Sequence, residues 1–240
     1  MSEISVKLTS ISKKYMLHHE RPTLVENIIG RGRDEVFWAL RNINLKIEKG
    51  DTLGIIGPNG SGKTTLLEII AGITSPTEGE IVIKGKVISL IDLGAGFHSD
   101  LTGEENIFFN GQIIGLTRKE TRKKFKKIVD FADIGGFIDT PLYTYSDGMR
   151  LRLGFAVAVH SEPDILILDE NIAVGDADFR QKSQEKIKDF IKQGKTLIIA
   201  SHSFDLLREL VQRIVWLDKG RLRDDGKVNL ILGKVEKIYS

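Results

Sequence analysis

Apolar and polar residues alternate over residues 4–10, with Ile4, Val6 and Leu8 on one side, the period of a half-buried strand. A segment placed at residues 16–38 then interrupts before a second strand expected over residues 39–47. The run Thr52-Leu-Gly-Ile-Ile predicts a third strand and Leu66-Leu-Glu-Ile-Ile a helix over residues 64–71. Two more strands are expected at residues 80–84 and 86–91. From residue 101 to about 136 the helical period takes over, through Ile107, Phe108, Ile113, Ile114, Phe125, Ile128 and Phe131. A long apolar-rich helix follows at residues 150–159, so residues 98–160 read as a helical subdomain. Strand and helix then alternate: strand 165–168, helix 179–192, strand 196–200, helix 204–211, and a strand entering a hairpin from residue 214. The runs at 52–56 and 165–168 are almost continuously apolar, as parallel strands covered on both faces are. The pattern is α/β, in a single domain over residues 1–240.

Between the third strand and its helix lies Gly57-Pro58-Asn59-Gly60-Ser61-Gly62-Lys63-Thr64-Thr65, a G-x-x-x-x-G-K-T match in strand–loop–helix context. The glycines let the backbone approach an anion closely, and the following helix adds the positive end of its dipole. Lys63 suits the β- and γ-phosphates, and the Thr64 hydroxyl suits a Mg²⁺ ion. A nucleoside triphosphate is the expected ligand.

Composition changes this picture little. Lys and Arg number 35 against 33 Asp and Glu, a net charge of +2 that suggests no nucleic-acid partner. The basic run Arg118, Lys119, Arg122, Lys123, Lys124, Lys126 and Lys127 has no interleaved aromatics and reads as a solvated helix face. There are no cysteines, no apolar leader at the N-terminus and no apolar run approaching ~18 residues. Any membrane role is therefore expected to come through a partner.

A phosphate loop needs a metal carboxylate. Asp169 and Glu170 end the apolar run 165–168, where open α/β sheets place their ligands. Asp169 suits Mg²⁺ and Glu170 a general base; alone, the pair could equally cap a strand. His202, after the strand 196–200, is either a γ-phosphate sensor or an ordinary surface histidine. Tyr145-Ser-Asp-Gly-Met begins a helix and offers amides and a hydroxyl to an anion.

The phosphate loop, Tyr145-Ser-Asp-Gly-Met, Ile165-Leu-Ile-Leu-Asp-Glu, Ala173-Val-Gly-Asp and Ser201-His occur in the order seen in ATP-binding-cassette ATPases, which the chain resembles along essentially its whole length. The resemblance implies a P-loop NTPase core with an N-terminal antiparallel β region and a helical subdomain. It also implies that two copies sandwich two ATP molecules. Tyr15 would then stack on adenine, Ser146 and Gly148 would contact the opposite γ-phosphate, and Asp176 would belong to the D-loop. A narrower resemblance is to the ATPase subunits of bacterial O-antigen, capsule and teichoic acid exporters. It rests on Leu93-Gly-Ala-Gly-Phe, the Met149 ending of the signature, Ala173-Val-Gly-Asp and the interruption between Tyr15 and Ala39. That implies a peripheral subunit on the cytoplasmic face of the membrane, a separate permease and a lipid-linked polysaccharide as cargo.

Two positions depart from the family pattern. Asp92 stands near where most cassettes carry glutamine, and Asp147 replaces a small signature residue, bringing a carboxylate near the expected γ-phosphate. Since the sequence stops at Ser240, no glycan-binding β domain is expected. A soluble cassette of translation or DNA repair is the competing reading, but it calls for a second cassette, heptads or zinc-binding cysteines. A P-loop kinase or GTPase does not account for the Tyr-Ser-x-Gly-Met helix start. Within the interruption, Thr23 to Gly30 suits a short amphipathic helix ended by Arg31 and Arg33. These arginines either dock on a permease or lipid-linked pyrophosphate or belong to a helix packed on its own domain.

Overall fold

The computed structural model describes residues 3–17, 35–91, 96–169 and 176–239. Two sheets organise it. Strands β1 (Ile4–Leu17), β2 (Glu35–Glu48) and β4 (Glu78–Ile83) form an antiparallel sheet in the order β2-β1-β4. Strands β3 (Thr52–Ile56), β5 (Val87–Ser89), β6 (Ile165–Leu168), β7 (Thr196–Ala200), β8 (Arg213–Asp218) and β9 (Arg221–Lys227) form the second, ordered β5-β6-β7-β3-β8-β9. Its first five strands are parallel, and β9 returns antiparallel on β8 as the anticipated hairpin.

Side chains of the central strands alternate between two cores, which is why these strands read as unbroken apolar runs. Leu53, Ile55, Ile165, Ile167, Ile198 and Ala200 pack with helix α1 (Lys63–Ile70) and with Val6, Leu8, Ile43 and Leu45 of the antiparallel sheet. On the other face, Ile56, Leu166, Leu168, Leu197 and Ile199 join a cluster fed by the remaining helices. These are α2 (Gly103–Ile113), α3 (Arg118–Ala132), α4 (Asp147–His160), α5 (Ala177–Lys192), α6 (Phe204–Leu210) and α7 (Val228–Tyr239).

The segment 98–160 holds α2, α3 and α4 with two short 3-10 turns between the last two. Capping boxes start α2 and α3: Thr102 with Glu105, and Thr117 with Glu120. Of the basic run on α3, all but Lys124 are solvent-exposed; Lys124 donates to the His160 carbonyl at 2.9 Å and pairs with Glu162 at 2.7 Å.

The first strand pair departs from expectation. β1 continues to Leu17 and β2 begins at Glu35, so the interruption placed at 16–38 overlaps strand at both ends. Register shifts between Leu8 and Ile11, Ile11 and Lys13, and Lys13 and Lys14 explain why period-2 reading failed there. Past these bulges Tyr15, Met16, Val36 and Phe37 are exposed, so no buried face marks the ribbon. Helix α7 was also not anticipated; its Ile231, Leu232 and Val235 are buried in the helix-side core. The short helix expected at residues 23–30, with Arg31 and Arg33, lies outside the described residues. None of the described helices is long and apolar enough to cross a membrane.

Candidate functional site

Three neighbouring parallel strands, β6, β7 and β3, end on the same edge of the sheet, and each is followed by a residue picked out from sequence. Asp169 follows β6, His202 follows β7 within two residues, and the loop from Gly57 follows β3. The three meet at one open pocket of about 210 Å³ lined by Asn59, Gly60, Ser61, Gly62, Lys63, Thr64, Thr65, Asp169 and His202, with Phe37 and Ala39 from β2. The carboxyl edge of an open α/β sheet is where such folds bind ligands.

The loop is shaped by its own backbone. Ser61 N–H donates to the Pro58 carbonyl at 3.1 Å, and Gly62 enters α1 with φ of +101°. That left-handed conformation lets α1 begin abruptly under the pocket. No side chain caps α1 and no acidic residue sits in its first turn. Its N-terminal amides and dipole are therefore left to an anionic ligand. Lys63 lies over the loop, its Nζ donating to the carbonyls of Gly57 at 2.8 Å and Pro58 at 3.2 Å. Pro58 also lines an adjoining apolar cavity of about 260 Å³ with Gly57, His202, Phe204 and Trp216.

The residues present fit a magnesium–nucleotide complex. Thr64 and Asp169 share the pocket wall, and the buried Ser61 Oγ has no hydrogen-bond partner. No cluster of three or more His, Cys, Asp or Glu exists among the described residues. A hydroxyl and one carboxylate, completed by phosphate oxygens and water, is the donor set Mg²⁺ takes at nucleotide sites. Glu170, expected as the base, lies outside the described residues, as do Asp92 and the Ala173-Val-Gly segment.

Other expected residues lie away from this pocket. Ser146 caps α4, accepting Met149 N–H at 3.2 Å, and Gly148 sits in that helix's first turn. Tyr145 anchors the helix start: its hydroxyl donates to the Phe137 carbonyl at 2.5 Å, and burial pushes its phenol up from the ordinary value. Asp147 points outward, 95% exposed and 3.7 Å from Arg150. Asp176 caps α5 through Phe179 N–H at 2.9 Å and is ion-paired with Arg152 of α4. Arg152 also stacks over Phe179 and lies 3.8 Å from Asp133, so one guanidinium joins α3, α4 and α5. Nothing in the sequence pattern singled it out. Tyr15 stands directly opposite Phe37 across the β1–β2 ribbon, and Phe37 is the aromatic that lines the phosphate-loop pocket. Phe37 was passed over because it fell inside the segment read as an interruption.

A glycine-shaped loop between a parallel strand and a helix, with Lys63 and Thr64 at its end and Asp169 across from it, defines the class of P-loop nucleoside-triphosphate-binding proteins. Residues 40–173 match the family described as ABC transporter. The chain belongs to that family. It is 49% identical over 202 residues to an O-antigen export system ATP-binding protein of Myxococcus xanthus, covering 84% of this chain and 46% of that protein. It is 42% identical over 232 residues to a teichoic acids export ATP-binding protein of Enterococcus faecalis, covering 96% of this chain and 52% of the relative. The chain thus spans about half the length of these curated relatives. Among solved structures it is similar to the dimeric post-hydrolysis state of the ATP-binding cassette MJ0796 bound to ADP and Pi. That match has a TM-score of 0.73 and 25% identity, and covers 93% of this chain and 98% of the other.

Proposed function

We propose that this chain is the ATP-hydrolysing subunit of an exporter that moves a lipid-linked polysaccharide through a separate permease, working from the cytoplasmic face of the membrane. One structural observation carries the nucleotide part: loop residues 59–65, Asp169 and His202 line a single pocket at the carboxyl ends of β3, β6 and β7. The export part is supported by the relatives, which are named for O-antigen and teichoic acid export. Those names favour it over a soluble cassette of translation or repair.

In this reading the α1 amides and Lys63 bind the β- and γ-phosphates of ATP, and Thr64 and Asp169 hold Mg²⁺, which neutralises charge on the transferring phosphoryl group. Glu170 takes a proton from the attacking water, and His202 contacts the γ-phosphate. Phe37 and Tyr15, opposite each other on the ribbon, provide the apolar wall for the base. Ser146 and Gly148, remote from the chain's own pocket, serve the nucleotide of a second copy, and Asp176 lies where the two copies meet.

The test is purification of the chain from membranes. Co-purification with a polytopic membrane protein, together with Mg²⁺-dependent ATP turnover, supports the reading. Turnover by a chain that never associates with a membrane protein refutes the export half and leaves the nucleotide half standing.

A further inference from the structure

Each of the chain's two tryptophans, Trp38 and Trp216, lies under a cation. Arg41 and Lys14 flank Trp38, at 6.0 Å and 5.8 Å from its ring, and Arg223 covers Trp216 at 4.2 Å. Arg41 and Arg223 both line one open cleft of about 570 Å³, together with Asp218, Lys219, Arg221 and Leu222. Four cations thus face one carboxylate. Asp218 is engaged by Arg223 at 3.4 Å, while Arg41, Lys219 and Arg221 are exposed and have no ion-pair partner among the described residues. Unpaired like charges that share a concavity repel one another, and an anion placed among them removes that repulsion. Three arginines suit an anion with several oxygens, because a guanidinium fork binds phosphate oxygens two at a time.

The cleft is also tied to the phosphate loop. Its floor is the β8–β9 turn, where Gly220 N–H donates to the Ser61 carbonyl at 3.0 Å. The Gly220 carbonyl accepts the Arg41 N–H at 2.7 Å. A ligand that draws Arg41 and Arg221 together pulls on the turn that braces the loop.

We propose that this cleft is a second anion site, separate from the nucleotide pocket, that takes a phosphate-bearing group such as a diphosphate or a lipid head group. The inference does not rest on the export reading. The experiment uses the whole chain with its phosphate loop filled by saturating Mg-ADP. One arm titrates inorganic pyrophosphate and follows tryptophan fluorescence, since Arg41 and Arg223, which line the cleft, each lie over an indole. The other measures co-sedimentation with vesicles of phosphatidylglycerol and phosphatidylcholine, against phosphatidylcholine alone.

Arg41→Ala with Arg221→Ala is compared with Lys123→Ala and Lys126→Ala, which removes equal charge from the solvent-facing side of α3. A further variant, Arg41→Lys with Arg221→Lys, keeps the charge. The expected result is binding weakened tenfold or more by the arginine-to-alanine pair in at least one arm, within twofold of wild type in the α3 control, and partly restored by lysine. Loss confined to the pyrophosphate arm identifies a soluble ligand, and loss confined to the vesicle arm a membrane head group. Absence of binding in both arms, or equal weakening by both charge-removing pairs, overturns the proposal. ADP affinity is measured on every variant, so a failure of the phosphate-loop reading appears there and not in the comparison of the arms.

Discussion

Two glycines of the phosphate loop offer a controlled test of how the loop is held. Gly60 and Gly62 both have positive φ, +75° and +101°. A Cβ added at Gly60 meets nothing within 4 Å, whereas one at Gly62 lies 2.5 Å from the Ala39 carbonyl oxygen and 2.7 Å from Leu40 Cδ2. Both alanine substitutions carry the left-handed penalty of about 1–2 kcal/mol. Only Gly62→Ala adds overpacking, another ~1–3 kcal/mol, because its neighbours are a β2 backbone and a fully buried leucine. The expected losses are therefore about 1–2 kcal/mol for Gly60→Ala and about 2–5 kcal/mol for Gly62→Ala. With a urea slope of about 3 kcal/mol per molar, the nucleotide-free midpoint falls by about 0.3–0.7 M and about 0.7–1.7 M respectively. The assay is equilibrium urea denaturation followed by far-UV circular dichroism, with the slope unchanged. Equal shifts for the two variants refute the reasoning, since they would mean that contact with β2 costs nothing.

Lys63→Ala removes charge-assisted hydrogen bonds worth about 1.5–3 kcal/mol, so affinity for Mg-ATP falls about 10- to 100-fold by calorimetry. The Asp164 carboxyl is held below its ordinary value of 3.8 by Lys195 Nζ, which donates to it at 2.8 Å, and by the Lys86 N–H at 2.9 Å. Stability from this group is present above the unfolded value and is lost as pH falls through the depressed folded value. Asp164→Asn should therefore flatten the acid limb of a stability–pH curve while changing its shape near neutrality little. Replacing Arg31 and Arg33 by alanine should leave ATP binding by the isolated subunit intact and lower polymer export in cells. Normal export at wild-type protein levels would assign that segment to packing alone.

The central sheet was legible because its strands are buried on both faces: Thr52–Ile56, Ile165–Leu168 and Thr196–Ala200 lie where unbroken apolar runs placed them. The same edge residues that end those runs line the pocket, so Asp169 and His202 stood out as candidates by their places after apolar runs, though each also suited an ordinary strand end. The ribbon of β1 and β2 was not legible past its bulges, since Tyr15, Met16, Val36 and Phe37 bury no face and give no period. That lost Phe37. Helix α7 was missed because Gly226 and Lys227 close β9 with no capping serine, threonine or aspartate before Val228. Arg152 escaped because its partners, Asp133, Asp176 and Phe179, come together only when α3, α4 and α5 pack.

The central claim is that ATP hydrolysis at this site drives polysaccharide export, and Glu170→Gln tests it most directly. The substitution keeps the side chain's shape but removes its basicity. Surface polysaccharide is measured in cells whose only copy of the subunit carries the variant, beside ATP binding and turnover of the purified protein. The account predicts ATP binding close to wild type, a large loss of turnover and a matching loss of surface polymer. Wild-type surface polymer from a variant made at normal levels that no longer hydrolyses ATP would contradict it.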